Sequence, residues 1–246
     1  MNPLVLIPAR MAATRLPGKP LADIGGQPMI VRAWRQAVQS GLPVAVAAGD
    51  PEIVEAIEAA GGVAVLTDPD LPSGSDRIRA ALDAIDPDGR HDAVINLQGD
   101  MPFADPGLAI ACANLLDAEP SCDIATLVAR EADASDRANP DVVKAVLALP
   151  EAARHGRALY FTRSALYGDA PVWRHIGLYG YRRAALEHFC AAPPSPLERR
   201  EKLEQLRALE MGLQIWAAVI DEAPLSVDSP ADLAAARQQA AGSGQQ

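Results

Sequence analysis

The sequence predicts an α/β fold, a mostly parallel sheet flanked by helices with a smaller mixed or antiparallel lobe, and three observations point to it. Short apolar runs alternate with amphipathic stretches of helical period through about residue 100. Proline opens several of the helical stretches and glycine closes them. Past residue 120 that alternation gives way to a succession of strand-like runs.

Leu4 to Ile7 form the first buried strand, and a loop carrying Arg10, Arg15 and Lys19 follows it. A helix over residues 28–40 stops at Gly41, and residues 44–47 make the second strand. Pro51 opens a helix over 51–60 with Ile53, Val54 and Ile57 on one face; Gly61 and Gly62 end it before a third strand at 63–66. The turn at 71–77 leads into a helix over 76–85, with Ser75 as its expected cap. Residues 92–97 make the fourth strand, which runs into Gln98, Gly99 and Asp100, and a helix follows from about 104. This spacing implies right-handed βαβ units and a Rossmann-like sheet.

Strands are then expected at 123–129, 142–147, 158–162 and 175–181, helices at 183–191 and 197–211, and a strand at 214–220. Ser229 and Pro230 open a last helix to about 240. The expected organisation is one domain over 1–240, with 123–212 contributing the smaller lobe and 241–246 a disordered tail.

Acidic residues outnumber basic ones, 32 against 22, which argues against nonspecific binding to nucleic acid or an anionic membrane. The first apolar run is too short for a signal peptide, and no stretch approaches a membrane span, so a soluble cytoplasmic protein is expected. The three cysteines form no Cys-x-x-Cys pair and read as reduced, buried thiols.

Basic character concentrates in the first loop. Three cations there call for an anion, and a triphosphate fits best at the carboxyl edge of a parallel sheet; the plainer reading is a solvated loop. Gly18-Lys19 is followed by Pro20, so this is no P-loop, and there is no dinucleotide fingerprint. The charge must come from side chains. Asp100, held behind a buried strand at the same edge, reads as a ligand for Mg2+ bridging to phosphate, or else as a helix cap.

Taken together, Pro8-Ala9-Arg10 with Leu16-Pro17-Gly18-Lys19-Pro20, Asn96-x-Gln98-Gly99-Asp100 and Val227-Asp228-Ser229-Pro230 resemble the cytidylyltransferases that activate acidic sugars. The match is nearest to the 3-deoxy-manno-octulosonate (Kdo) cytidylyltransferase, or CMP-Kdo synthetase, family. Further segments fall in that family's order: Ser73-Gly74-Ser75-Asp76-Arg77, Asn139-Pro140-x-Val142-Val143-Lys144, residues 158–163, 174–181, 194–198 and 203–207.

The resemblance implies a fold of the nucleotide-diphospho-sugar transferase type and transfer of CMP from CTP to the anomeric hydroxyl of Kdo, releasing pyrophosphate for lipopolysaccharide synthesis. It assigns catalysis to Arg10, Lys19, Asp100 and Asp228, and Mg2+ to Asp100 and Asp228. Nucleotide contacts fall to Ala9, Arg10, Arg15, Lys19, Ser73, Arg77 and Asp100, and sugar contacts to Gln98, Arg163, His175, Tyr179, Glu204 and Gln205. It further implies a homodimer through the smaller lobe. By themselves, His175 and Tyr179, four apart in a strand and so on one face, also read as packing residues, and Glu204 as a solvated helix charge.

Two departures stand out: Met101 where the family commonly has glutamate, and a short segment over 167–173. The rival readings are a cytidylyltransferase for 8-amino-Kdo or sialic acid, a sugar-phosphate nucleotidyltransferase using UTP or GTP, and a catalytically silent nucleotide-binding homologue.

Overall fold

The structure is a computed structural model, and it describes residues 1–12, 16–131, 134–168 and 170–243. The chain forms two compact units, Asn2–Ala109 with Pro224–Gln246, and Ile110–Ala223 with Met1.

In the first unit, β1 (Pro3–Ala9), β2 (Val44–Ala48), β3 (Ala64–Leu66) and β4 (Ala93–Asn96) pair in the order β3-β2-β1-β4, every ladder parallel. β1 is central, and its Val5, Leu6 and Ile7 have no exposed surface. Pro8 sits in this strand at little cost: the β4 ladder stops at Leu6, so no bond there needs its missing N–H. The helices are α1 (Met29–Val38), α2 (Pro51–Ala59) and α3 (Gly74–Ile85). Ser73, rather than Ser75, caps α3, its hydroxyl accepting from Asp76 N at 3.1 Å, while Ser75 is buried. The chain returns to this unit with α9 (Pro230–Ser243), which ends a little beyond the expected 240; residues 244–246 lie outside the described residues. Val227, Leu233 and Ala236 pack with Ile24 and Met29 in one buried cluster, which anchors the returning segment.

The chain leaves the first unit within α4 (Gly107–Ala118), whose start is held by Asp105 accepting from Gly107 N at 2.7 Å. The second unit holds β5 (Ile124–Arg130), β6 (Lys144–Ala148), β7 (His155–Thr162), β8 (Trp173–Arg182) and β9 (Ile215–Ile220) in the order β8-β5-β9-β7-β6, and β6 pairs back onto β8. Only β5–β9 is parallel among these ladders; the others run antiparallel. The α/β class therefore holds, but the sheet is mixed rather than mostly parallel, because the antiparallel ladders of this unit join the parallel ones.

Two further differences from expectation lie in the second unit. A short α5 (Ala134–Ala138) follows β5. The helix expected over 197–211, after α6 (Arg183–Ala191), is two, α7 (Pro196–Glu201) and α8 (Gln205–Glu210), broken where Lys202 turns left-handed at φ 54°. The break lets Leu203 and Gln205 bury, and it brings Arg207 within 3.0 Å of Glu198 and 3.3 Å of Glu204. No described helix is long and apolar enough to cross a membrane.

Candidate active site

Parallel pairing opens the carboxyl ends of β1 and β4 on the same edge of the first unit. Ala9, Arg10, Ser73, Arg77, Gln98 and Asp100 line one cleft there, of about 250 Å³. Gly99 admits no larger residue without a shift, because a Cβ would lie 2.9 Å from Ile30 Cδ1 and 3.1 Å from the Pro8 carbonyl. This close approach seats Asp100 on the rim of the strand.

Lys19, Asp100 and Asp228, drawn from three distant stretches, meet at one point. The Lys19 ammonium donates to Asp100 Oδ2 at 2.7 Å and to Asp228 Oδ1 at 3.0 Å. Val227 N donates to the Asp100 carbonyl at 2.9 Å, so backbone as well as side chains ties the two acidic segments. Asp232 holds the next turn, its Oδ2 accepting from Asp228 N at 3.1 Å and Ser229 N at 2.8 Å. Asp228 is the most open member, 42% exposed at its side chain against 15% for Lys19, so a ligand would reach the trio past Asp228.

Burial alone would pull Lys19 down, but Asp100 and then Asp228 outweigh it and hold the ammonium above the ordinary lysine value. Asp100 is lifted above the usual carboxylate range, by burial first and by the neighbouring Asp228 charge, against the pull of Lys19. Asp100 Oδ1 is buried and accepts no hydrogen bond. A buried, unpartnered carboxylate oxygen beside a second carboxylate suits a hard divalent cation. Among the described residues no cluster of three or more His, Cys, Asp or Glu could hold a metal. Two carboxylates are nonetheless the protein share that Mg2+ takes when phosphates fill its other positions.

The remaining predicted nucleotide residues differ in availability. Arg10 is exposed, and among the described residues its guanidinium reaches Leu71 O, at 3.5 Å. Arg77 is buried, and its guanidinium is engaged with Thr67 Oγ1 at 2.7 Å, Asp68 O at 3.0 Å and Pro69 O at 3.1 Å. It holds the loop after β3 and forms part of the cleft wall. Ser73 is committed to capping α3, and Gln98 donates to Asn96 Oδ1 at 3.2 Å. Arg15 lies outside the described residues.

In the second unit, a bulge in β8 brings two predicted sugar residues together. Thr126 pairs with Tyr179 while Leu127 pairs with Ile176, so Gly177 and Leu178 are looped out. The His175 and Tyr179 rings then lie 5.4 Å apart, where a regular strand would separate such positions by about 13 Å. Thr126 Oγ1 donates to Leu178 O at 2.9 Å and lies 2.9 Å from His175 Nε2. Ile176 O, at 3.2 Å, is a second carbonyl within reach of the same hydroxyl. Burial against Phe161 and Tyr179 lowers the imidazole to about 3, so it is neutral at physiological pH. Burial, then Tyr181 and Glu204, push the Tyr179 hydroxyl well above its usual value. Arg163 donates to Pro140 O at 3.0 Å and Glu201 O at 3.3 Å.

The cytidylyltransferase family model matches residues 4–215. A 3-deoxy-manno-octulosonate cytidylyltransferase of Rhodospirillum rubrum is 56% identical over 237 residues, covering 96% of this chain and 94% of that one. The enzyme of that name from Parvibaculum lavamentivorans is 58% identical over 238 residues, covering 96% and 92%. This chain belongs to the 3-deoxy-manno-octulosonate cytidylyltransferase family. A solved CMP:2-keto-3-deoxy-manno-octonic acid synthetase complexed with CTP matches it at a TM-score of 0.90 and 35% identity, over 99% of this chain and 100% of that one.

Within this cytidylyltransferase chain, some residues around the candidate site carry no readable sequence signal. Thr126, which lies 2.9 Å from His175 Nε2, sits in an apolar strand indistinguishable from its neighbours. Lys144, one of only three lysines and the end of the Asn139–Lys144 segment, has no role legible in the sequence, and the structure buries it completely. Met101 is buried, 5% exposed, so its apolar side chain faces the interior.

Proposed function

We propose that this chain transfers CMP from CTP to the anomeric hydroxyl of Kdo, releasing pyrophosphate, and so supplies an activated sugar for lipopolysaccharide synthesis. The observation that carries the reading is the meeting of Lys19, Asp100 and Asp228 at one point, in a chain of this family.

Attack by a sugar hydroxyl on the α-phosphate gathers negative charge on the transferring group and on the departing pyrophosphate. Catalysis is then mostly positioning and neutralisation. Lys19 and Arg10, with Arg15, neutralise the β- and γ-phosphates. Ala9, Ser73 and Arg77 shape the nucleotide side of the cleft, on a parallel unit read as Rossmann-like. Asp100 and Asp228 would hold Mg2+, and an ion bound there supplies a Lewis acid that polarises the phosphate. Asp100 Oδ1 favours this assignment, since it has no other partner.

Gln98, Arg163, His175, Tyr179, Glu204 and Gln205 form the sugar-binding set. Arg163 answers the sugar carboxylate with a planar, permanently charged donor, while neutral His175 and the protonated Tyr179 hydroxyl offer hydrogen bonds to a polyol. The lobe over residues 123–212 carries the members of that set other than Gln98, and a homodimer contact. The protein works in the cytoplasm, with small-molecule substrates and no nucleic-acid or membrane partner.

A pyrophosphate-release assay tests this, using Kdo, 8-amino-Kdo and sialic acid against all four nucleoside triphosphates, with and without Mg2+. Release should require CTP, Kdo and Mg2+ together; release with sialic acid and none with Kdo would overturn the sugar assignment. Sedimentation of the purified protein tests the dimer.

A further inference from the structure

Lys144 is the first residue of β6, opposite Thr162 of β7 and Arg174 of β8, and none of its surface is exposed. Burying an ammonium is unfavourable unless its protons find acceptors. Here the acceptors are two backbone carbonyls, Asn139 O at 2.5 Å and Arg163 O at 3.0 Å. Two charged neighbours act on it electrostatically: Asp136, which favours the charge, and Arg163, which opposes it. Asp136 in turn lies 3.6 Å from Arg174.

These contacts close a ring. Asn139, which accepts from Lys144, is joined by one peptide bond to Pro140, whose carbonyl accepts from Arg163 Nη1 at 3.0 Å. The Arg163 carbonyl leads back to Lys144 at 3.0 Å. Both ends of Arg163, its main chain and its guanidinium, are therefore set relative to the same ammonium. Pro140 stiffens the link, because its ring fixes φ. An arginine side chain otherwise samples many rotamers, and ordering it before the ligand arrives lessens what binding must oppose. The segment next to Lys144 is tied in as well, with His175 N donating to Val143 O at 2.8 Å.

We infer that Lys144 is a positioning residue that holds the Arg163 guanidinium ready for the sugar carboxylate. This rests on the reading of Arg163 as a sugar-binding residue given above. Lys144 touches no substrate; it acts through the Asn139–Pro140 peptide and the Arg163 main chain. Methionine at 144 would match the length of the stem while removing every proton the ring uses.

The test is a double-mutant cycle of Lys144→Met and Arg163→Ala, with initial rates measured against Kdo and CTP separately and folding followed by thermal melting. Lys144→Met should raise the KM for Kdo roughly tenfold, leaving the KM for CTP and kcat within about twofold. Introduced into Arg163→Ala, it should raise the Kdo KM no further, because the group it positions is gone. An unchanged Kdo KM, or the same rise in the Arg163→Ala background as in wild type, would overturn the inference. Should Lys144→Met not melt cooperatively, Lys144→Gln, whose shorter stem cannot bring its amide to both carbonyls, takes its place in the same cycle with the same criteria. Wild-type protein that releases no pyrophosphate with Kdo would overturn the functional reading; normal wild-type turnover with an unmoved variant overturns this inference alone.

Discussion

Lys19 and Lys144 are two lysines withdrawn from water in opposite ways. Lys19 lies between two carboxylates, and their charges hold its ammonium above the ordinary value. Lys144 lies between two backbone carbonyls, and burial holds it below. Full charges stabilise an ammonium but can be exchanged, since a phosphate oxygen competes with a carboxylate for the same proton. Carbonyl dipoles belong to the backbone and cannot leave. The first arrangement suits a group that meets an incoming anion, and the second suits a fixed post.

Breaking the Lys19 cluster should have the largest effect. Asp100→Asn should reduce Mg2+-dependent pyrophosphate release by about 10²- to 10³-fold, and near-normal release would remove Asp100 from the mechanism. The same variant should melt no lower than wild type without metal. Because the folded carboxyl sits above its unfolded value, its favourable contribution belongs to low pH and is lost as pH rises through the folded pKa. The amide does not titrate and is spared that loss.

Next in size, Arg163→Ala should raise the KM for Kdo by roughly ten- to a hundredfold, the loss of one charge-assisted hydrogen bond. An effect confined to CTP would place Arg163 in the wrong pocket. Gly99→Ala should then destabilise the first unit by about 1 to 3 kcal/mol in urea unfolding, through contact with Ile30 and the Pro8 carbonyl. An unchanged midpoint would mean the rim yields more easily than its packing implies.

The smallest effect sharpens the contrast itself. Lys19, raised above 10.5, contributes stability that is complete below that pH and disappears as pH climbs through its folded value. Lys144, lowered from 10.5, opposes folding while charged, and that penalty lifts as pH rises through its folded value towards 10.5. In urea unfolding between about pH 8 and 11, Lys19→Met should lose the alkaline decline and Lys144→Met the alkaline gain. Parallel profiles for the two variants would abolish the distinction.

The first unit was largely readable from sequence because its signals are local. Four apolar strands, helices bounded by proline and glycine, and an aspartate directly behind β4 each announce themselves within a few residues. The second unit depends on contacts that no window contains. The break between α7 and α8 follows from burying Leu203 and Gln205, which a helical period through 197–211 conceals. The β8 bulge at Gly177 and Leu178 is visible only against Thr126 on another strand. At the candidate site, Lys19 and Asp100 were suggested by their own loops, whereas Arg77, expected among the nucleotide contacts, gives its guanidinium to partners in the 67–69 loop. Residue type marks where charge is, but the fold decides what it faces.

The bond between Lys19 and Asp228 joins residues 209 positions apart, with the whole of 110–223 made between them. A nascent chain emerging from the ribosome thus carries Lys19 and Asp100 long before the second acid has been translated. Any product released early in that interval has half of the acidic pair and no Val227 amide to secure it. The Lys19–Asp100–Asp228 cluster is therefore completed in one late step of synthesis instead of gradually.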